Sequence, residues 1–539
     1  MKEILEYVVV GSGCSGAIAA QTLVEAGVDV TMIDVGITAE KETRMPKDAS
    51  FFDMRQHDQN QYKYLIGERG QGINWGKISK GAQVTPPRQY IAKNVDTFTP
   101  MASHTFSPLE SLGYGGLGIG WGLQCWEYSD ADLKRVGLNP KQVRDAYDVV
   151  SRRIGISATK DAAATYTIGN LSTFQPSAAS DKNHRLIQRL YAKRKSFFKK
   201  RGVYVGRTPL ALITQPKPGR KPYRYLDTDF YSDADKSAWR PWITVDQLKK
   251  KTNFHYVDNT LVISFKERGG IVTIHALDTA TGKTKKIACR FLVLASGALG
   301  SARIVMRSQG KIGTKVPLLS NPHTYIPCIQ PRMFGKAYEK KKLGFGQLSY
   351  FIDRDGDDSG ISVASSYSYQ SLMLFRIITQ LPFNFADGRI LSRFLTPGLV
   401  IMIAQHPDEQ SEHKYLQLVK DASSPTGDKV KAQYELSEED ETKWDEREKK
   451  YVSVMRKLHT YPLKRVKTEH GSAIHYAGTL PFSEAPEPMR LSSDGRLHNT
   501  KHVYVADSSG FQFLPAKGLT FTLMANAHIV ATNILKENA

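Results

Sequence analysis

Residues 8–36 read VVVGSGCSGAIAAQTLVEAGVDVTMIDVG, with glycines at 11, 13 and 16 between an apolar run and an alanine-rich stretch, and Asp34 beyond. Each residue type at this spacing has a physical task. Gly11 permits the tight turn out of a strand, Gly13 lets backbone approach a pyrophosphate, and Gly16 lets the next helix pack close to the strand. The N-terminus of that helix offers unpaired N–H groups and partial positive charge to phosphates. Asp34, 18 residues past the last glycine, stands where a ribose hydroxyl needs an acceptor. The chemistry is dinucleotide binding, and the fingerprint alone does not separate NAD from FAD. Hydrolase and metal chemistry find no support: there is no G-x-S-x-G elbow and no H-E-x-x-H. The four cysteines, Cys14, Cys125, Cys289 and Cys328, form no C-x-x-C pair, so neither a metal knuckle nor a disulfide framework is expected.

The elements that must position this site are spread along 539 residues, a length that implies two domains. Residues 5–36 read strand, helix, strand. Residues 50–105 are polar, aromatic and aperiodic, as long loops over a site would be. SDADLKRVG begins a capped helix near Ser129. TLVISF and GIVTIHAL alternate as a β-meander, and CRFLVLASGALGSARIVMRS follows as a buried strand, glycine turn and helix. GLVIMIAQ and YLQLV are further strands, 437–459 a charged helix, and the C-terminus a strand, loop and closing helix. Segments 289–301 and 503–527 read as further pieces of the N-terminal sheet. A nucleotide domain assembled from both ends of a long chain is more typical of flavoproteins than of simple NAD dehydrogenases.

Composition is that of a soluble globular protein, with mean hydropathy −0.37 and no apolar stretch long enough to span a bilayer. The first strand starts too early for a signal peptide, and a reduced, cytoplasmic setting is expected. Net charge is +21, and 14 Lys/Arg with no Asp/Glu lie in 182–224. Within it HRLIQRLYAKRKSFFKKRG has the spacing of an amphipathic helix closed by Gly202. Beyond a solvated face, such a segment suits an anionic membrane surface, a phosphate-bearing substrate or an acidic redox partner. No nucleic-acid motif accompanies it. The apolar stretch 371–398 is a candidate core, oligomer-contact or membrane-dipping element.

Read together, the chain resembles the glucose–methanol–choline (GMC) oxidoreductases, and within them the pyranose 2-oxidase branch. MIDVG, GYGGLGIGW, VLASGALGSARIVMRS, IHYAGTLPF and VYVADSSGFQFLPAKGLTFTLMANAHIVA carry the resemblance. It is thin through roughly 130–250 and 320–460. The resemblance implies an α/β, two-domain fold. A Rossmann-like FAD domain would take most of 1–320, interrupted around 50–105 and 130–200, and return at 489–539. A substrate domain with a large antiparallel sheet would occupy 321–488. It also implies FAD held by Gly11, Gly13, Gly16, Asp34, Gly115, Gly116, Gly118, Trp121, Val262, Ala295, Gly297, Asp507 and Thr520.

The implied reaction is oxidation of an alcohol to a carbonyl, with hydride passing to flavin N5. His475 aligns with the family's catalytic histidine and is the expected general base, a role that suits a side chain titrating near neutrality. Two positions depart from the family. Where it pairs this base with a second His or Asn, this chain has Gly518, so Lys517 or a substrate-domain group is a candidate to polarise the alcohol oxygen. Where the branch carries the histidine bonded covalently to FAD, this chain has Gly120, which implies dissociable FAD and favours a dehydrogenase over an oxidase. The branch points to a carbohydrate hydroxyl, and the basic segment to an anionic form of it. A degenerate, non-catalytic FAD-binding relative and an oxidase of a non-sugar alcohol are the alternatives. The electron acceptor and the oligomeric state are not specified.

Overall fold

The computed structural model describes residues 4–39, 45–65, 67–68, 84–354, 356, 360–368 and 384–537. Its first lobe is a seven-stranded sheet in the order Phe254–Val257, Val30–Ile33, Ile4–Val10, Thr284–Leu294, Ile271–Asp278, Thr260–Arg268, with Val503–Val505 also paired to Thr284–Leu294. The long strand Thr284–Leu294 does two jobs. Its first half runs antiparallel to Ile271–Asp278, closing the meander, and its second half is parallel to Ile4–Val10 and to Val503–Val505. Where these strands are enclosed on both faces they are apolar, and Val8, Val9, Leu292, Val293, Leu294, Val503 and Val505 are fully buried. Helix Cys14–Glu25 packs against the C-terminal helix Thr520–Glu537, which packs in turn on Pro140–Ile154. Both ends of the chain thus build one lobe.

The second lobe is an antiparallel sheet ordered Tyr461–Pro462, His323–Ile329, Leu399–Gln405, Val363–Ser368, Leu348–Ile352, Val203–Arg207. One of its strands, Val203–Arg207, lies outside the 321–488 span expected to supply this sheet. The period-2 alternation of its strands sets two different faces. Ile326, Cys328, Val400, Met402, Ala404 and Ala364 point to a core roofed by helices Lys182–Lys193 and Glu438–Lys457. The alternate residues His323, Tyr325, Ile403, Gln405 and Tyr367 face the first lobe and line the cavity between them.

Local signals in the sequence act as expected. Ser129 caps Asp130–Val136, its hydroxyl accepting from the Asp132 amide, and Gly137 ends the helix in the left-handed region at φ +92°. Ser437 caps Glu438–Lys457 in the same way. The basic segment differs: it is two helices, Lys182–Lys193 and Lys195–Lys199, because the chain breaks at Arg194 before Gly202 closes it. The described part of 50–105 holds short helices, among them Phe51–His57 and Pro86–Ala92, rather than open loops. Of 371–398, residues 371–383 lie outside the described residues, and Phe385–Leu395 is a helix. The described residues include no helix long and apolar enough to cross a membrane.

Candidate active site

The glycine turn runs from strand Ile4–Val10 into helix Cys14–Glu25, and its three glycines meet three different surroundings. A Cβ on Gly16 would lie 1.9 Å from the Gly11 carbonyl oxygen, so only glycine lets the helix start this close. Gly11 has φ +99°, and its Cβ would meet the Ala295 carbonyl oxygen at 2.8 Å. Around Gly13 a Cβ would meet nothing within 4 Å. That open side belongs to an elongated cavity of about 320 Å³ that continues past Asp34, Val262, Ala295, Gly297, Asp507 and Thr520 to His475. The Ser296 hydroxyl is buried here with no hydrogen-bond partner. A narrow slot with glycine at the wall, a helix N-terminus and an orphaned hydroxyl fits a dinucleotide pyrophosphate.

The acids in the slot are held by neighbours. Asp34 accepts hydrogen bonds from the Ser12 hydroxyl and, at 3.1 Å, from the Tyr256 hydroxyl. Burial raises its pKa to about 6 against these bonds. Asp507 accepts from the hydroxyl of Ser301 at 2.6 Å and the amide of Ser509 at 3.0 Å, which fixes the loop before the last helix.

Gly116, Gly118, Gly120 and Trp121 line the cavity. Gly115 does not: its amide donates to Ser12 Oγ at 2.8 Å, tying this loop to the glycine turn. Gly16 likewise serves the turn and not the cavity wall.

His475 follows Ile474, a β-branched residue in the left-handed region at φ +61°, a conformation such a residue holds only where its surroundings impose it. The bridge pairing Leu319–Ser320 with Tyr476–Ala477 brings Asn321 opposite His475. Its Oδ1 lies 3.0 Å from His475 Nδ1. Asn321 Nδ2 donates to the carbonyls of His406 at 2.8 Å and Pro515 at 3.1 Å, so Oδ1 is the acceptor and Nδ1 of His475 carries the proton. Nε2 is therefore the basic nitrogen. Burial depresses His475 to about 4, which keeps it neutral at physiological pH.

Gly518 lies against this ring. A Cβ there would sit 3.6 Å from Cε1 and 3.8 Å from Nε2, in ordinary contact. The position expected to pair with the base is thus beside it, without a side chain. Lys517 does not substitute. It is buried with Nζ 3.9 Å from Asp132 Oδ2 and does not line the cavity, because an ammonium in that setting requires a carboxylate.

Groups from the second sheet line this end of the cavity instead. His323 is buried, and burial depresses it to about 3; its Nδ1 lies 3.2 Å from Thr468 Oγ1. Gln124 donates to the Tyr367 hydroxyl at 2.7 Å, and Gln405 Oε1 is buried without a partner. Asn321, His323, Tyr325, Tyr367 and Gln405 were not singled out from sequence. The signal was present in HTYIPCI, where polar aromatics alternate with apolar residues, but alternation alone does not say that the polar face meets a second lobe. No residue of 182–224 lines the cavity, and its arginines Arg303 and Arg307 are paired with Glu110 and Asp428. An anionic substrate draws no support from the lining.

Residues 405–527, which contain His475, Asp507, Gly518 and Thr520, match the family model for GMC oxidoreductase. No curated protein matches the chain. Among solved structures it is similar to pyridoxine 4-oxidase from Mesorbium loti, with a TM-score of 0.57 and 12% identity over 99% of both chains. At that identity the likeness is one of fold, and it extends over both lobes.

Proposed function

We propose that this GMC-type oxidoreductase, an FAD-dependent enzyme acting on CH–OH groups, oxidises a carbohydrate hydroxyl to a ketone or aldehyde with His475 as the general base. The observation that carries the reading is the cavity itself, which joins the glycine turn to His475. Bound along the slot, FAD supplies the hydride acceptor. The protein's own groups handle the proton. Neutral His475 takes the hydroxyl proton at Nε2 while Asn321 holds the Nδ1 proton in place. The place left open by Gly518 leaves the alcohol oxygen to groups of the second sheet that line this end of the cavity. Removing the proton as hydride leaves carbon balances the two-electron oxidation.

Amide and hydroxyl groups beside aromatic faces, here Gln124, Gln405, Tyr325 and Tyr367, suit a sugar ring. The same aromatics support a second reading, an aromatic ring-bearing alcohol of the kind named by the pyridoxine 4-oxidase likeness.

FAD is held without a covalent bond in this proposal. Gly120 offers no side chain, and burial pushes the Cys14 thiol at the turn up to about 12, leaving no thiolate. The purified protein should show a flavin spectrum, and acid precipitation should release all of the flavin to the supernatant; a yellow pellet would contradict this. Without a covalent bond to raise the flavin potential, we favour electron transfer to an acceptor other than oxygen.

Asn321→Leu is expected to keep bound flavin and slow its reduction by alcohol roughly tenfold, the size of one net hydrogen bond. The acid limb of the rate profile should also change, because the Nδ1 proton is no longer fixed. An unaltered rate and profile would remove Asn321 from this role.

A further inference from the structure

A strongly basic face covers the side of the second sheet opposite the cavity. Its first part is helices Lys182–Lys193 and Lys195–Lys199. Its second is the C-terminal end of helix Glu438–Lys457 with the turn after it, where 449–467 holds seven Lys/Arg and no Asp/Glu. The cations of 182–201 are all exposed. Among the described residues only Arg185 of that set is paired with a carboxylate, Glu339, at 3.4 Å. Lys450, Arg456, Lys457 and Lys464 are exposed as well.

These parts form one surface. The Arg194 guanidinium donates to the Lys457 carbonyl at 3.1 Å, and Phe197 is stacked against Arg194 and Arg201 at 4.6 and 3.8 Å. Gln330 binds the carbonyl of Leu458 through its side chain at 3.4 Å and that of Gly398 through its amide at 2.7 Å, joining the helix end to the segment after Phe385–Leu395. Asn183 reaches the neighbouring Pro397 carbonyl at 3.2 Å. Large apolar side chains project from the same corner: Ile390 is 66% exposed, Leu463 60%, Phe394 50% and Tyr461 42%.

We infer that this face docks on an anionic lipid bilayer. Unpaired lysines and arginines attract acidic headgroups, and exposed Ile, Leu and Phe gain by entering the acyl boundary. A soluble polyanion would use the charges and leave the apolar residues in water, so the combination selects a lipid surface. The cavity is lined by the other face of the sheet, so the docked face is separate from the groups proposed to act on substrate.

The test is co-sedimentation of the flavin-loaded full chain with vesicles of phosphatidylcholine alone and of phosphatidylcholine with about one third phosphatidylserine, a composition that gives a negative surface potential. Binding is expected to the second only, and to fall roughly tenfold or more when salt is raised from about 0.1 to 0.5 M, as the Debye length shortens. Lys193→Glu, Lys195→Glu, Lys199→Glu and Lys200→Glu together should abolish it with the flavin spectrum intact. Phe394→Ser with Leu463→Ser should weaken it at least several-fold without altering the charge. No binding to anionic vesicles, or full binding by the charge-reversed protein, overturns the inference. Undiminished binding by the serine variant, with equal affinity for soluble heparin, replaces the bilayer with a soluble polyanion and overturns it as well.

Discussion

His475→Ala should bind FAD normally and reduce it at least ~100-fold more slowly than the unchanged protein, the scale of a lost general base. The expectation rests on geometry: Nδ1 is committed to Asn321, which leaves Nε2 as the basic nitrogen of a ring that lines the cavity, and Gly518 offers no substitute side chain. The pH dependence carries the same signature. Protonated His475 cannot accept the substrate proton, so the reduction rate should be lost as pH falls through the residue's pKa of about 4 and be level from about 6 upward. In His475→Ala that acid limb should vanish. Rapid-mixing measurements of anaerobic flavin reduction over this range check both points; an unchanged rate in the variant would remove His475 from the reaction.

The second large effect separates two glycines three residues apart. Gly16→Ala forces a methyl to within 1.9 Å of the Gly11 carbonyl, backbone against backbone. Either the helix moves or the turn breaks, a cost of about 3 kcal/mol or more of the kind seen for overpacked cores. Its melting temperature should fall by several degrees even without cofactor. Gly13→Ala meets nothing within 4 Å, so the cofactor-free protein should melt as before. Its methyl instead occupies the open side of the slot, and FAD affinity should drop tenfold or more. Thermal melts with and without added FAD distinguish the two. Equal melting of both variants without cofactor would show that Gly16 does not make the close contact.

Much of the nucleotide lobe was legible because its signals are local. The glycine spacing, the apolar strand before it and the acid after it lie within thirty residues, and Val503–Val505 reveals itself by the same buried-strand pattern. The placing of His475 in the cavity wall was legible through the segment around it. The surroundings of His475 were not, for a physical reason. Asn321 reaches it through a two-residue bridge across more than 150 positions, and His323 through the alternation of a strand whose partners come from elsewhere in the chain. Neither contact has a sequence spacing of its own. Lys517 misled because its type suits catalysis, whereas the buried carboxylate of Asp132 decides where its ammonium sits. The basic segment misled only where it was set against an anionic substrate: its charge was evident, but only the fold puts it behind the sheet and away from the cavity.

The most direct test mixes the purified flavoprotein anaerobically with a panel of sugars and ring-bearing alcohols and follows flavin bleaching. At least one sugar is expected to bleach the flavin, with one carbonyl formed per flavin reduced. A flavin that dithionite reduces but no alcohol in the panel bleaches would contradict alcohol oxidation at this site and favour a protein that binds FAD without using it.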